Sequence, residues 1–332
     1  MRVANVNRLV HKGKEKHMSG YLQNGKWHPG WYDTRATQGE FLRPAASFRD
    51  WISADGSSDY LAEPGRYHLY VSLACPWAHR TLIVRSLKQL EDVVSVSVVE
   101  PIMSEQGWCF SEALPDHVNG FSFLHQLYSA SLPDYSGRIS VPVLWDKVRK
   151  RIVNNESSEI IRMFNSAFNG FGNASVDLYP QALRPEIDAL NEFIYENINN
   201  GVYRCGFAST QASYESAFHK LFAALDQIEA RLADRPYLLG ESITEADWRL
   251  FTTLARFDAV YYSHFKCSRN HIDDFPQLSR YLRELYLVPG IAQTVNIDHI
   301  KRHYFMSHPH INPTRIVPIG PRLKFCAPAD VH

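Results

Sequence analysis

The chain carries no excess charge of either sign: 35 Lys and Arg balance 35 Asp and Glu over 332 residues. It therefore lacks the basic field that draws proteins to nucleic acid or to anionic membrane surfaces, and neither partner is expected. No run of about 18 apolar residues occurs, so no membrane-spanning helix is expected, and the N-terminus has no apolar core of a secretory signal. Internal repeats and low-complexity segments are also missing. The five cysteines, Cys75, Cys109, Cys205, Cys267 and Cys326, are odd in number and scattered. That pattern reads as free thiols in a reducing compartment, the cytoplasm by expectation, rather than a disulfide framework. No two stand at CxxC spacing, so an intramolecular dithiol cycle on that motif is excluded and an outside thiol must resolve any cysteine chemistry. Metal ligation is not expected: His299 and His303 are one helical turn apart, but no Glu follows His299, and His308 and His310 flank Pro309 in a loop.

What the chain does have is one cysteine in a chemically biased place. Tyr67–Ser72 alternates and is rich in β-formers, Leu73 and Ala74 turn, Cys75 takes a cap position, and Pro76 occupies the first helical residue, where its missing N–H costs nothing. Unpaired N–H groups and the positive end of the helix dipole favour a thiolate, so the Cys75 pKa is predicted to fall below the usual ~8.5. The competing assignment is a small residue filling a strand–helix corner.

At 45% hydrophobic content and this length, two domains or one large one are expected. After Tyr67–Ser72 come a helix from Pro76 to about Leu90 and a strand over Val93–Val99, a βαβ unit. The next forty or so residues are irregular and rich in aromatics, and a loop that long in a compact domain usually has a function. Val141–Trp145 and Arg151–Val153 form a hairpin whose Pro142 marks an edge or a cis bond. Asn155 is expected to cap a helix running Glu156–Phe168. Strand, helix, strand, strand, strand, helix is the order of a thioredoxin-like domain. From about Leu183 the pattern turns helical, with Phe218, Leu221, Phe222, Leu225, Ile228 and Leu232 on one stripe and a capping box at Thr244–Asp247. The expected fold class is thus α/β plus all-α. Its divisions are a disordered basic extension over 1–26, a thioredoxin-like domain with an N-terminal arm over 27–174, an all-helical domain over 175–320 and a tail over 321–332.

A thioredoxin-like domain with one cysteine at its first helix, joined to a helical domain, resembles the cytosolic glutathione transferases. The ordered series WYDT (Trp31–Thr34), YHLYVSLACPWAHRTLI (Tyr67–Ile83), YSGRISVPVLWDK (Tyr135–Lys147), NESSEIIRMFN (Asn155–Asn165), NNGVYRCGFA (Asn199–Ala208), RFDAVYYSHFKC (Arg256–Cys267) and HIKRHYF (His299–Phe305) is similar to the glutathionyl-hydroquinone reductases, the xi class. The likeness runs from about Trp27 to Gly320. It implies that Cys75 is the catalytic cysteine, that Trp108, Arg138, Val141, Glu156 and Ser157 bind glutathione as co-substrate, and that Tyr203, Tyr261 and Tyr304 surround the catalytic sulfur. It also implies a homodimer.

Each implied role has a chemical rationale. A strand edge at Val141 can pair with the extended tripeptide, and a helix opening at Glu156 and Ser157 favours the γ-glutamyl carboxylate while Glu156 takes the ammonium. Arg138 and Trp108 would hold the rest. Cys75 would attack the sulfur of a glutathionyl-hydroquinone, Tyr203 would supply the proton the ring carbon needs, and Tyr261 and Tyr304 would donate hydrogen bonds to the sulfur and lower its pKa. The helical domain would supply an aromatic-lined quinol pocket. The alternatives are an omega-type thiol transferase or dehydroascorbate reductase, which would not need Tyr203, and a non-catalytic transferase-like scaffold. Cys205 is near enough to Tyr203 in sequence to face the same pocket.

Overall fold

The computed structural model describes residues 18–326. The chain opens with a hairpin of β1 (Gly20–Gln23) and β2 (Lys26–Pro29), followed by an irregular arm and two short parallel strands, β3 (Ile52–Ser53) and β4 (Tyr60–Leu61). The thioredoxin-like unit is β5 (Tyr67–Val71), α1 (Pro76–Leu87), β6 (Ser95–Val98), α2 (His125–Ser131), β7 (Gly137–Arg138), β8 (Val143–Asp146), β9 (Arg151–Asn154) and α3 (Ser157–Ser166). Its four-stranded sheet has the order β6-β5-β8-β9, with β5 parallel to β6 and β8 antiparallel to both β5 and β9. Every residue of β5 and β8 is buried, as expected of central strands covered on both faces.

The helical half follows: α4 (Arg184–Ile194), a π-helical turn at Tyr195–Asn199, α5 (Gly201–Phe207), α6 (Gln211–Arg231), α7 (Glu245–Arg256), a second π turn at Phe257–Tyr261, α8 (Tyr262–His264), α9 (Pro276–Tyr286) and α10 (Ile297–Ser307). The stripe on α6 lies where it was predicted, with Leu221, Phe222, Leu225 and Ile228 buried. The capping box opens α7: the Asp247 carboxylate accepts from the Thr244 N–H at 2.8 Å and its hydroxyl at 3.0 Å.

Several expectations need correcting. The basic extension does not reach residue 26: β1 pairs with β2 and, on its other edge, with β7, because Leu22 has a buried place to fill. Residues 1–17 lie outside the described residues. The tail packs as far as it is described, with Leu323, Phe325 and Cys326 buried and Phe325 edge-on to Tyr286 at 5.4 Å. The long aromatic segment is not wholly irregular, since it holds α2. The helix after the hairpin is capped by Glu156, not Asn155: Glu156 accepts from the Ser158 N–H at 3.0 Å. Asn155 instead accepts from the Phe48 N–H at 3.0 Å and donates to Tyr128, tying the arm down.

The two domains are joined by buried polar contacts. Arg80 of α1 donates to Asn199 at 2.7 Å, and Asn199 donates in turn to the Arg249 carbonyl and to Thr253. Arg256, fully buried at the end of α7, donates from Nε to the Ala74 carbonyl at 2.8 Å and from Nη2 to the Leu73 carbonyl at 3.1 Å. Its Nη1 reaches the Thr252 carbonyl and His79. A helical-domain cation thereby holds the turn that carries Cys75.

Candidate active site

Cys75 is the N-cap of α1, with extended backbone and Pro76 directly after it, as the local pattern predicts. Its thiol donates to the Val141 carbonyl at 3.5 Å, across a Val141–Pro142 peptide that is cis. The direction of the predicted pKa shift is reversed. Burial pushes the Cys75 thiol up, and the opposing influences are smaller: the N–H groups of Ala78 and Trp77 and the positive charges of Arg256 and Arg43. The helix N-terminus moderates a desolvated thiol rather than producing an unusually acidic one.

Two adjoining cavities meet at this corner. The larger, about 290 Å³, runs along Ser140–Pro142 to the start of α3 and is lined by Arg138, Val141, Glu156 and Ser157. The smaller, about 130 Å³, is walled by Cys75, Trp77, Trp108, Tyr203, Tyr304 and His303 among others, and also touches Arg138 and Val141. The extended edge and the helix opening thus lie in one space, and the sulfur and two of the three tyrosines in the other.

Within them, some residues do other work than expected. Arg138 gives its guanidinium to the arm, donating from Nη1 to the carbonyls of Gly30 at 2.7 Å and Gly20 at 3.2 Å and from Nη2 to that of Trp31, over the ring of Tyr32 at 4.3 Å. Glu156 accepts from both the N–H and the hydroxyl of Ser158, and Ser157 is buried with its oxygen 3.4 Å from Arg80. Trp108 is buried and stacked on His303 with centroids 4.6 Å apart.

The three tyrosines do converge, although α5, the second π turn and α10 bring them from 203, 261 and 304. Tyr203 and Tyr304 share a hydrogen bond of 2.6 Å, and Tyr261 and Tyr304 one of 3.1 Å. The expectation that Tyr261 and Tyr304 donate to Cys75 is not met. Buried hydroxyls require partners, and these satisfy one another rather than the sulfur, a weaker acceptor. Tyr261 stands behind Tyr304 and does not line the cavity. Burial raises the pKa of all three, so they stand as neutral phenols, and for Tyr203 the charge of Arg43 and the hydrogen bond with Tyr304 oppose that rise.

The cavity wall also contains histidines. His303 donates from Nδ1 to the Pro101 carbonyl at 3.0 Å, and His308 pairs with His264 at 3.2 Å. Burial lowers His303 to about 4 and His264 to about 3, leaving neutral rings. Among the described residues no three His, Cys, Asp or Glu side chains converge in a metal-ligating arrangement. Cys205 does not line the cavity; it is buried inside the helical domain, as is Cys267, whose thiol donates to the Phe265 carbonyl at 3.9 Å.

Arg43 and Arg256 escaped the reading of the sequence. Arg43 lies in an arm with no periodic pattern, and Arg256 is one arginine among many helical ones. Only the closing aromatic residues around Arg43 and the carbonyls around Arg256 distinguish them.

A mixed four-stranded sheet with a capping cysteine and a cis-proline edge, backed by a helical domain that completes the pocket, defines a glutathione transferase. Two family models agree: Glutathione S-transferase, N-terminal domain, matches residues 74–167 and Glutathione S-transferase, C-terminal domain, matches residues 211–284. The chain is 54% identical to Glutathionyl-hydroquinone reductase YqjG of Escherichia coli, over 91% of this chain and 95% of that protein. It is 52% identical to Glutathionyl-hydroquinone reductase PcpF of Sphingobium chlorophenolicum, over 91% and 96% respectively. Among solved structures, the glutathione-bound form of YqjG superposes with a TM-score of 0.85 at 50% identity, covering 92% of this chain and 97% of that one. The Xi Class GST from Natrialba magadii gives 0.87 at 48% identity, covering 94% and 96%. The chain belongs to the xi-class glutathione transferases, the family of the glutathionyl-hydroquinone reductases.

Proposed function

We propose that the protein reduces S-glutathionyl-hydroquinones to hydroquinones with glutathione, through a mixed disulfide on Cys75. The observation that carries this reading is the placement of the Cys75 sulfur and the hydrogen-bonded Tyr203–Tyr304 pair on the walls of one small cavity. Direct expulsion of an aryl carbanion is too costly, so the ring carbon bearing sulfur is first protonated. Tyr203 gives that proton, and Tyr304 and Tyr261 stabilise the phenolate it becomes. A ring hydroxyl loses its proton as the keto tautomer forms. The Cys75 thiolate then attacks the glutathionyl sulfur, the carbon–sulfur bond breaks, and its electron pair restores the aromatic ring as a hydroquinone anion, which takes up a proton. A second glutathione thiolate attacks the glutathione sulfur of the mixed disulfide, forming oxidised glutathione and freeing Cys75.

The glutathione backbone would lie along Val141 in the larger cavity, its γ-glutamyl end at Glu156 and Ser157 and its sulfur toward Cys75. Trp108 would close one side, and Arg138 would act by holding the arm over the site. We assign the protein to the cytoplasm, in keeping with the absence of a disulfide among the described residues and a need for reduced glutathione, and to a homodimer, the state its family resemblance implies.

A thiol transferase of omega type needs only the cysteine and the tripeptide groove, and the buried tyrosine pair favours quinol chemistry over it. Incubation of wild-type protein with S-glutathionyl-hydroquinone and excess glutathione tests the choice. Release of free hydroquinone is expected; disulfide exchange with no hydroquinone release would assign the site to the thiol transferase.

A further inference from the structure

The proposed reaction moves one negative charge from the Cys75 sulfur to a quinol oxygen, yet Tyr203, Tyr304 and Tyr261 are neutral donors and Arg256 is committed to carbonyls. Two arginines line both cavities, and Arg138 is given to the carbonyls of the arm. The other is Arg43, itself on the arm. Its guanidinium carbon is 4.7 Å from the ring centre of Trp77 and 4.7 Å from that of Tyr203, a sandwich that fixes the plane of the group. Nε donates to Asn200 at 2.9 Å, which sets its rotation.

The polar accounting around it is incomplete. Nη2 of Arg43 is buried with no hydrogen-bond partner, and so is Nε1 of the Trp77 against which it lies. Among the described residues no carboxylate forms an ion pair with Arg43; Glu156 shares the larger cavity but is engaged with Ser158. A buried donor without an acceptor costs free energy and marks a place where a partner is wanted. The charge also acts on both reacting groups, since it lowers the pKa of the Cys75 thiol and of the Tyr203 phenol.

We propose that Arg43 is a specificity-determining residue that binds the quinol oxygen on which negative charge appears as the carbon–sulfur bond breaks. A cation already fixed beside both sulfur and oxygen does not reorganise as the charge crosses between them, which is how preorganised donors lower a barrier. Disulfide exchange creates no phenolate, so Arg43 selects for leaving groups that depart as oxyanions. This inference rests on the reductase reading of the site.

The test compares wild type, Arg43→Gln and Arg43→Lys on a series of S-glutathionyl-hydroquinones carrying methyl, no, or chloro substituents, and on a small glutathione mixed disulfide. Arg43→Gln is expected to lose about 10²-fold in kcat for hydroquinone release, the cost of one oxyanion donor. The loss should be greatest for the methyl compound and least for the chloro compound, whose phenolate needs less help. Disulfide exchange, assayed above the pH midpoint of Cys75 so that the sulfur is thiolate in every variant, should change less than about threefold, and Arg43→Lys should recover part of the quinol rate. Equal losses along the series, or equal losses in disulfide exchange, would overturn the proposal, as would a raised KM for glutathione with unchanged kcat, which would place Arg43 on a glutathione carboxylate. Thermal unfolding of each variant separates these outcomes from misfolding. Absence of hydroquinone release by wild type would instead refute the reductase reading itself.

Discussion

The two walls of the active site are built in opposite ways. On the thioredoxin-like side, Cys75, Val141, Glu156 and Ser157 sit at the ends of strands and helices, and each owes its orientation first to its immediate neighbours: a proline at the first helical position, a cis proline before β8, a cap at α3. On the helical side, Tyr203, Tyr261 and Tyr304 come from separate elements and are oriented by one another, through hydroxyl contacts that span up to 101 positions of sequence. The first wall is shaped locally and fastened from a distance by Arg256, whereas the second is a single polar unit in which each hydroxyl depends on the next. Chemistry divides along the same line, with the sulfur and the tripeptide groove on one wall and proton supply on the other.

Removing the nucleophile gives the largest effect. Cys75→Ser is expected to abolish hydroquinone release and disulfide exchange together, by at least about 10³-fold, since both pass through the same sulfur. Persistence of either in a stopped assay for oxidised glutathione would show that a second thiol carries it.

Tyr203→Phe separates the walls. Loss of a general acid should cost about 10²- to 10⁴-fold in quinol turnover while leaving disulfide exchange nearly intact. Tyr261→Phe, one hydroxyl further back, is expected to cost less, because it acts only through Tyr304. Equal penalties for the two would mean that the tyrosines serve packing rather than proton supply.

Arg256→Gln probes the contact by which one wall holds the other. It removes a buried donor set from the Ala74 and Leu73 carbonyls, so a loss of stability of about 2–3 kcal/mol is expected, read as a lower denaturant midpoint. It also removes a charge that favours the Cys75 thiolate, so the pH midpoint for alkylation of Cys75, already above the ordinary cysteine value, should move further up. An unchanged midpoint would confine Arg256 to a structural role.

Acidification acts on the stability of the fold rather than on the chemistry of the site. His264 and His303, in the helical wall, and His68, in the sheet, have folded-state pKa values of about 3, about 4 and about 4, below the ordinary 6.5, because burial excludes the charged form. Below the unfolded value the unfolded chain binds more protons, so stability falls as pH drops from about 6.5 toward 4, by about 1.4 kcal/mol per pH unit for each such histidine. Scanning calorimetry should show a falling Tm over that window. A flat Tm between pH 6.5 and 4 would show these rings to be hydrated in solution.

Much of the first wall was legible in the chain. The β5–Cys75–α1 corner and the hairpin with its cis proline, like the Thr244 capping box in the helical half, are governed by residues within a few positions of each other, and local backbone physics acts at that range. The tyrosines were picked out by family resemblance, since nothing in their neighbourhoods separates them from the other 14 of 17. Arg43 was invisible for the same reason: its meaning lies in Trp77, Tyr203 and Asn200, none of them close to it in sequence.

By itself the sequence determined which cysteine would cap a helix, where the sheet and the helical half would form, and which thiol could have no internal resolving partner at CxxC spacing. The tertiary structure decided the rest. It reversed the Cys75 pKa shift, tied the Arg138 guanidinium to the carbonyls of the arm, and directed the tyrosine hydroxyls at each other instead of the sulfur. The physical reason is the same in each case. Capping and turn formation are settled by neighbouring residues, but desolvation and the pairing of buried polar groups depend on what else is packed into the same volume, and that is set only when distant segments close over the site.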